Sequence, residues 1–373
     1  MMGLMSLCVL VYCACIIFYT LKFKSFKENG ISKKTETTTF SIVIPFRNEE
    51  QCLPQLFKSI EQLKYPPNMF EIILVDDHSG DSSRSLCENW KIENDGLNIS
   101  VLDNKNLAKS PKKSAVLTAL LKIKHKYVIT TDADCLLPEN WLLHFDSFIR
   151  KNRSDLIAGP VKMIEGSNFW NKFQVLDLMS LQVIGLGSFK TSSALFCNAA
   201  NLCYKTQTLK DIQPFQSHKS IVSGDDVFNL EVFQKNKKKV DAIVLREATV
   251  WTKAEKNLRD LTQQRMRWAS KAKFYKNSWL KALGLIVLMT NLCLVLSLVM
   301  AVFFEGFDHF WWLWLFKLGT DFYTLYTGHL FFKDHLCLRD YFMMLLIYPF
   351  VSSYFGLMAL KGDFMWKGRH YKV

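Results

Sequence analysis

Two carboxylates spaced one residue apart follow an apolar run in 127-YVITTDADCLLPENW-141. Asp132 and Asp134 come directly after a β-rich segment, where a strand ordinarily ends in a turn residue or a single capping acid. A divalent cation explains the spacing, because Mg²⁺ and Mn²⁺ take one or two protein carboxylates together with substrate phosphates. The alternative is that Asp132 caps the next helix and Asp134 faces water.

A second acidic pair, Asp76 and Asp77, ends the apolar run in 72-IILVDDHSGDSS-83. Carboxylates at such a strand end can accept hydrogen bonds from a base or a ribose, as they do at nucleotide sites. The residues that follow can instead form only a turn and a helix cap, even if the acidic pair binds a ligand.

A third acidic pair, Asp225 and Asp226, stands before an amphipathic pattern in 223-SGDDVFNLEVF-233. Acids at this position can simply cap the helix. An aspartate at such an edge can also act as a general base if it reaches a substrate hydroxyl.

Two basic stretches complete the set of candidate residues. Lys112 and Lys113 open a predicted helix in 109-KSPKKSAVLTAL-120, where cations are unfavourable for the helix dipole and need another partner. A phosphate is one such partner, and a solvated surface is the alternative. In 263-QQRMRWASKAKFYKN-277, Arg267 can meet a pyrophosphate and Trp268 can stack on a sugar. The same stretch also has the composition of an interfacial helix.

Alternating strand-like and helix-like segments position these residues. Strands are predicted at 40–45, 70–76, 98–103 and 127–132, and helices at 51–63, 81–90 and 113–123. Such alternation with short connections predicts an α/β fold with a parallel sheet covered on both faces. Ligands of such sheets bind beyond the carboxyl ends of the strands. The polar clusters at 45–50, 76–81 and 132–134 lie at those ends, so we expect them to form one site.

Apolar segments flank this region and predict a membrane protein. Residues 4–21 form an uncharged run about long enough to cross a bilayer. Lysines follow that run, which places the next domain in the cytosol. The net charge of +13 gathers beside the apolar segments, which favours a membrane surface, and without a zinc-finger, basic-zipper or RNA-binding signature we expect no nucleic-acid partner.

Three more apolar segments lie at 280–304, 310–332 and 341–360. Three crossings would put the basic tail 361–373 outside the cell, against the positive-inside tendency, whereas the acidic stretch 305–308 fits the outer side. One of the last two segments is therefore expected to be re-entrant or interfacial. The middle one is favoured, because Lys317 and Asp321 are costly in lipid unless they are paired or near water.

Taken in order, the motifs resemble the membrane-bound glycosyltransferases of family 2, the group of cellulose, chitin and hyaluronan synthases and ceramide glucosyltransferase. The resemblance is carried from residue 41 to residue 268 by PFRNEE, VDDHS, KKSAVLTAL, DADC, NAANLCY, SGDD and QQRMRW. WKGR at 366–369 also resembles a tail found in some members. Two departures are Pro111, where many relatives have Gly, and SGDD in place of the TED of processive synthases, which weakens any expectation of processivity.

The resemblance implies a GT-A fold and an inverting transfer from a nucleotide sugar, with UDP as the usual nucleotide, to a lipid or glycan acceptor. It implies domains at 1–27 (membrane anchor), 28–278 (cytosolic catalytic domain), 279–360 (membrane region) and 361–373 (basic cytosolic tail). By position, it assigns each motif a role. Asp76, Asp77 and Lys113 would bind the donor; Asp132 and Asp134 would hold Mg²⁺ or Mn²⁺; Asp226, beside Asp225, would be the catalytic base; and Gln264, Arg267 and Trp268 would lie near the pyrophosphate and the acceptor.

Two other classes of protein share parts of this pattern. A strand that ends in D-x-D and a later GDD also resemble a haloacid-dehalogenase-type phosphatase. That family usually has Thr or Val where Cys135 stands, and it leaves VDDHS and QxxRW unexplained. A non-enzymatic membrane protein with a nucleotide-sensing domain is the other alternative, although three or four apolar segments are too few for the inverted repeats of a transporter.

Overall fold

The structure is a computed structural model that describes residues 2–27, 37–303, 311–359 and 363–372. The chain divides into two compact units. The sheet unit comprises Phe26–Ile164 and Ser192–Lys253, and the helical unit comprises Met1–Ser25, Glu165–Thr191 and Ala254–Val373. The acidic stretch 305–308, discussed above, and the first residues of the domain expected at 28–278 lie outside the described residues.

The helices and strands of the described ranges are numbered in chain order. The helices are α1 (Met2–Lys24), α2 (Leu53–Glu61), α3 (Ser83–Glu93), α4 (Pro111–Leu120), α5 (Trp141–Asn152), α6 (Phe169–Ser188), α7 (Thr206–Ile212), α8 (Asp225–Lys235), α9 (Leu258–Ser270), α10 (Ser278–Phe303), α11 (Trp311–Phe332) and α12 (Leu338–Ala359). The strands are β1 (Phe40–Phe46), β2 (Phe70–Asp76), β3 (Ile99–Asp103), β4 (Tyr127–Thr130), β5 (Leu156–Ala158), β6 (Val161–Met163), β7 (Leu202–Lys205), β8 (Val240–Ala242), β9 (Val250–Thr252), β10 (Asp363–Trp366) and β11 (Arg369–Lys372).

A seven-stranded sheet with the order β3-β2-β1-β4-β7-β5-β8 forms the core of the sheet unit. The four strands predicted from the sequence are present and pair in parallel. These four strands form the parallel part predicted from the sequence, and the whole sheet is mixed, because β7 runs antiparallel to both β4 and β5. β1 and β2 are almost wholly buried, as expected for strands covered on both faces.

The register brings the ends of neighbouring strands to one edge. Phe46 of β1 pairs with Asp76, the last residue of β2, and Asp76 pairs with Asp103, the last residue of β3. On the other side of β1, Thr130 of β4 pairs with Val43. Since these strands are parallel, the residues that follow each of them emerge along the same carboxyl edge.

Three helices of the helical unit are long and apolar enough to cross a membrane, at Gly3–Lys24, Ser278–Phe303 and Leu338–Met358. α10 runs antiparallel to α1. At one end Trp279 Nε1 donates a hydrogen bond to Tyr19 Oη over 2.6 Å, and further along Thr290 Oγ1 donates to the carbonyl of Cys8 over 3.2 Å.

Helix α11 is continuous and runs parallel to α1. The Thr20 and Thr324 hydroxyls are 2.9 Å apart, and Cys13 Sγ is 3.7 Å from the carbonyl of Phe316. α11 is not one of the three apolar candidates, and its polar residues include the Lys317 and Asp321 noted in the sequence.

The structure pairs those two charges. Lys317 Nζ is 2.6 Å from Asp321 Oδ2, and the Lys317 side chain is 0% exposed. The Tyr12 hydroxyl of α1 donates to Asp321 Oδ1 over 2.6 Å, and the ammonium lies 4.8 Å from the centre of the Tyr348 ring. A lysine and an aspartate are tolerated in lipid if they pair with each other, and Lys317 and Asp321 do so.

Two elements of the helical unit were not foreseen. α6 has no counterpart among the predicted segments, and it packs with α1 and α11 inside the helical unit. The C-terminal hairpin β10–β11 packs on α9, where the Met365 N–H donates to Gln263 Oε1 over 2.7 Å. Residues 165–191 and the chain from Ala254 onward therefore belong to the helical unit, which differs from the uninterrupted domain expected at 28–278.

Candidate active site at the carboxyl edge of the sheet

Asp76 stabilises the turn that follows β2 through hydrogen bonds. Its Oδ1 accepts hydrogen bonds from the Ser79 N–H over 3.0 Å and from the Ser79 hydroxyl over 2.6 Å. This side chain–backbone turn is the alternative considered from the sequence. Asp76 therefore shapes the loop that carries Asp77.

Asp77 is buried at the same edge and has two polar neighbours. Asn104 Nδ2 donates to Asp77 Oδ1 over 2.7 Å, and Arg47 Nη1 lies 3.8 Å from Asp77 Oδ2. Arg47 follows β1 and Asn104 follows β3, so three adjacent strands contribute one residue each. Sequence reasoning did not single out Arg47 or Asn104, although their positions just after strands were a usable signal.

Asp132 and Asp134 lie on the turn after β4. The next helix, α5, begins only at Trp141, so Asp132 is not its cap. Asp132 Oδ1 forms an ion pair with Lys112 Nζ. Asp134 Oδ2 accepts from the Thr252 hydroxyl over 3.3 Å. The two carboxylates therefore have different partners within the sheet unit.

Lys113 is buried, and the structure contradicts its expected contact with a phosphate. The side chain is 0% exposed. Its ammonium donates to the carbonyls of His218, Ile221 and Ser223 over 3.2, 2.8 and 3.1 Å. The Lys113 ammonium thus donates its hydrogen bonds to the backbone that leads into α8. The sequence stretch was correctly singled out, but the lysine beside the acids is Lys112.

Asp225 and Asp226 form the first turn of α8, where a helix dipole favours negative charge. Gly224 before them has φ 83°, a conformation that favours glycine. Asp226 Oδ1 accepts from the N–H of Val227 over 2.8 Å. The N-cap residue of α8 is Gly224 and not either aspartate, so the structure does not show the capping alternative.

The pKa of Lys112 indicates which acids lie near its ammonium. Burial alone would lower the pKa of Lys112, but the negative charges of Asp132, Asp225 and Asp226 outweigh burial and raise it. Asp132 comes from the turn after β4 and the other two from α8. Acids from two distant parts of the sequence thus act on a single ammonium.

His218, which the sequence analysis left as structural, lies under this loop. Its Nε2 is 2.9 Å from Asn229 Oδ1 of α8. Burial and the positive charge of Lys113 lower its pKa to about 4. The imidazole is therefore neutral at ordinary pH and holds the start of α8 by a neutral hydrogen bond.

Gln264, Arg267 and Trp268 lie on α9 of the helical unit. Gln264 Nε2 donates to Glu255 Oε1 over 2.9 Å. Burial raises the pKa of Glu255, and the charge of Arg267 opposes that shift. The Trp268 ring centre is 4.2 Å from the guanidinium carbon of Arg265, and Arg265 in turn pairs with Asp177 over 2.5 Å. Arg265 and Asp177 were not singled out from the sequence.

The donor set at the sheet edge fits a hard divalent cation. Among the described residues, no group of three or more His, Cys, Asp or Glu side chains is arranged to hold a metal alone. Mg²⁺ and Mn²⁺ do not require such a cage, since they commonly use one or two carboxylates, water and substrate phosphates. Asp132 and Asp134 supply that number of carboxylates, and Asp132 is already paired with a cationic group.

Two family models match the chain. "Glycosyl transferase family 2" matches residues 41–206, and "Glycosyl transferase family group 2" matches residues 127–358, which is more than half of the chain. The matches include the sheet-edge acids, and the second also includes α9.

Curated relatives and solved structures agree with these matches. A poly(ribitol-phosphate) beta-glucosyltransferase of Bacillus spizizenii is 27% identical over 207 residues, 53% of this chain and 30% of the relative. An undecaprenyl-phosphate 4-deoxy-4-formamido-L-arabinose transferase of Pseudomonas fluorescens is 34% identical over 129 residues, 31% of this chain and 36% of the relative. The chain thus spans less than two thirds of the length of these relatives. A mannosyltransferase of Pyrobaculum calidifontis, solved with GDP-Man and Mn²⁺, superposes with a TM-score of 0.60 at 14% identity, covering 95% of this chain and 98% of that one, which shows a shared fold.

Proposed function

The chain belongs to glycosyl transferase family 2, and we propose that it moves a sugar from a nucleotide-diphosphate sugar to a lipid or glycan acceptor at a membrane, with inversion at the anomeric carbon. It is a glycosyltransferase with the GT-A fold. The phosphatase and sensor alternatives are thereby set aside. The observation that carries the finer proposal is the Lys112–Asp132 ion pair at the carboxyl edge of the sheet, where the negative charges of Asp225 and Asp226 also act on the ammonium.

The nucleotide of the donor is proposed to bind at Asp77, next to the turn shaped by Asp76. A carboxylate at a strand end is suited to accept hydrogen bonds from a base or ribose. Arg47 and Asn104 hold the Asp77 loop through its backbone carbonyl and its carboxylate. UDP is the first nucleotide to test, because it is the usual one in the family that the sequence resembles.

The diphosphate is proposed to bind beside Asp132 and Asp134. These two residues would hold Mg²⁺ or Mn²⁺, which when bound supplies positive charge to the leaving nucleoside diphosphate. Lys112 brings a further positive charge to this edge. Stabilisation of charge that develops on the leaving group is usually the largest contribution to such a reaction.

Asp226 is the proposed general base, with Asp225 beside it. In the transfer, Asp226 takes the proton of the acceptor hydroxyl, and the oxygen forms a bond to the anomeric carbon from the face opposite the leaving group. The bond from that carbon to the diphosphate oxygen breaks, and the nucleoside diphosphate leaves. The position of Asp226 is fixed by its bond to the Val227 N–H, which orients the base relative to α8.

Gln264, Arg267 and Trp268 keep the roles that their motif implies, near the pyrophosphate and the acceptor. Support for these roles comes from the sequence motif QxxRW, which lies within the second family match. An acceptor that is a lipid or a growing glycan is supported by the three apolar helices of the chain. Two relatives are named for undecaprenyl-phosphate and for poly(ribitol-phosphate), which suggests both kinds of acceptor.

For the membrane region we propose that α1, α10 and α11 cross, which replaces the re-entrant path expected from the sequence for the middle segment. The hairpin β10–β11 packs on α9, and α9 is followed within eight residues by the start of α10. The hairpin and the start of α10 are therefore proposed to lie on one side. α10 is antiparallel and α11 is parallel to α1, so α11 would return the chain to the side on which α10 starts. Hydropathy alone favours α12 over α11, but the buried Lys317–Asp321 pair removes the objection to α11.

Native Cys337, which is exposed between α11 and α12, tests this topology. The proposal places Cys337 on the side of the basic tail, the cytosol. A membrane-impermeant maleimide should then label it only after cells are permeabilised, as read by peptide mass with Cys337→Ser as control. Labelling of intact cells would instead mean that α11 does not cross.

The activity is tested by a panel of nucleotide sugars offered to membranes with Mn²⁺ or Mg²⁺, followed by mass spectrometry of the lipid and glycan fractions. Asp226→Asn should lower turnover on the order of 10²–10⁴-fold while donor binding persists, because it removes only the proton acceptor. Asp211→Asn, an exposed acid of α7, should behave like the wild type. Full turnover by Asp226→Asn, or loss of donor binding in it, would contradict the assignment.

A further inference from the structure

Lys112 occupies a distinctive place at the acidic edge. It is the second residue of α4, and its ammonium is in contact with Asp132 Oδ1. The side chains of Lys112 and Asp132 are 19% and 35% exposed. Both groups can therefore exchange this contact for water or for a ligand without a change in the core.

The contact occupies one oxygen of a carboxylate that is proposed to hold the divalent cation. A carboxylate oxygen that already accepts from an ammonium cannot also ligate a metal without bringing two positive charges into contact. Metal binding through Asp132 Oδ1 therefore requires that the ammonium move. Lys112 has a flexible four-carbon stem and three rotatable donors, so such a move needs only side-chain rotation.

The neighbouring lysine cannot substitute for it. Lys113 is buried and its ammonium is held by three backbone carbonyls. The first turn of α4 also repels positive charge, so Lys112 stays there only while an anion is within reach. Asp132 is the anion in contact with it, Asp225 and Asp226 add negative charge nearby, and a diphosphate would be a further anion.

We propose that Lys112 is an internal counter-cation of Asp132, which leaves this carboxylate for the donor diphosphate when the divalent ion binds. The inference rests on the proposed function and deepens it. Its consequence is a coupling between the two ligands. The metal binds weakly to the free enzyme and tightly once a nucleoside diphosphate accepts the displaced ammonium.

The test measures Mn²⁺ binding to the full chain in detergent by electron paramagnetic resonance, first alone and then with saturating UDP. Lys112→Met should bind Mn²⁺ at least about tenfold more tightly than the wild type without UDP, since a charge in contact shifts such an equilibrium by one unit or more. With UDP the gain should disappear, because the variant lacks the cation for the diphosphate. Lys105→Met, the same charge change at an exposed loop position, should match the wild type in both conditions.

The outcomes separate this inference from the proposed function. Equal Mn²⁺ affinity of the wild type and Lys112→Met without UDP overturns the role of Lys112, while UDP-dependent Mn²⁺ binding that is lost in Asp134→Asn still supports the site. Failure of every variant to bind Mn²⁺ with UDP overturns both. Lys112→Arg, which keeps the charge, should retain the wild-type coupling, and this shows that an effect of Lys112→Met is not a folding defect.

Discussion

The carboxyl edge of the sheet unit and the interior of the helical unit both hold charged side chains, but they balance them differently. At the sheet edge, Asp132, Asp225 and Asp226 act on one lysine. In the helical unit, Lys317 pairs with Asp321 and Arg265 pairs with Asp177, one charge to one charge. An apolar bundle tolerates only compensated charge. A surplus of negative charge, by contrast, is what a site for a cation and a diphosphate requires.

The largest expected effect comes from breaking a compensated pair. Lys317→Met would leave Asp321 buried with only the Tyr12 hydroxyl as partner. We expect a loss of about 3–5 kcal/mol in free energy of unfolding, the usual effect of removing one partner of a buried ion pair. Unfolding in detergent, followed by circular dichroism against denaturant concentration, measures it.

Two controls sharpen that result. Lys281→Met removes an exposed lysine of α10 and should change stability little. Lys317→Met combined with Asp321→Asn removes both charges and should recover most of the loss, since Asn can still accept from Tyr12. If Lys317→Met alone were as stable as the wild type, the pair would not be structural. The contrast between the two regions would then fail.

An intermediate effect on stability is expected from substitution of Lys113, which is fixed in place, whereas Lys112 is proposed to move. Lys113→Met would leave the carbonyls of His218, Ile221 and Ser223 without their donor. We expect a loss of about 2–3 kcal/mol in free energy of unfolding, because buried acceptors would be unsatisfied. We also expect a fall in turnover larger than any change in donor affinity, since this loop leads into Asp225 and Asp226.

The matched comparison is Lys112→Met, the same substitution one residue earlier. Thermal unfolding should be nearly unchanged in Lys112→Met and clearly lowered in Lys113→Met. Equal destabilisation by both substitutions would contradict the distinction between a structural Lys113 and a Lys112 that is free to move. Lys113→Arg tests whether a positive charge alone preserves the stability. The planar guanidinium of arginine cannot donate to the three carbonyls in the geometry that the ammonium adopts.

The smallest expected effect is a pH dependence from His218, which the sheet unit holds neutral. Because the folded pKa of about 4 lies below the ordinary value, the unfolded chain binds the proton first as pH falls. The stability is present above about pH 6.5 and is lost toward pH 4. Between pH 7.5 and pH 5 the free energy of unfolding should fall by about 2 kcal/mol from this residue.

Chemical unfolding at several pH values compares the wild type with His218→Gln, which removes the titrating group. The slope between pH 7.5 and pH 5 should be smaller in the variant. His370→Gln, at an exposed position of the hairpin, should keep the wild-type slope. A wild-type slope in His218→Gln would mean that other groups carry the acid sensitivity.

Much of the sheet was predictable from local pattern. The observed β1 to β4 begin and end within two residues of the predicted strands, because apolar runs bounded by turn residues are a strong signal. The antiparallel β7 and the short β5 and β8 were missed, since strands of three or four residues carry too little periodicity. α6 was missed as well, because sequence reasoning did not single out Asn168, which caps its N-terminus.

The acids of the candidate site were named from the sequence, but the partners of these acids were not predictable. Asp132, Asp225 and Asp226 were named from the sequence, and the structure brings them to one ammonium. Which of two adjacent lysines meets them was not predictable. On a helix, neighbouring residues point about 100° apart. Lys113 therefore reaches buried backbone carbonyls, whereas Lys112, one residue earlier, reaches the acidic edge.

The sequence by itself determined the chemistry available to this protein: carboxylates after apolar strands, the QxxRW motif, and the apolar helices on either side. It could do so because strand and helix patterns are local, and because the order of motifs along the chain is visible. Only the tertiary structure decided which groups are neighbours. Asp132 and Asp226 are more than ninety positions apart in the chain, and the pairing of Lys317 with Asp321 inside the bundle depends on helices that pack only in the folded state. Burial and charge compensation are properties of that packing, so no local pattern could fix them.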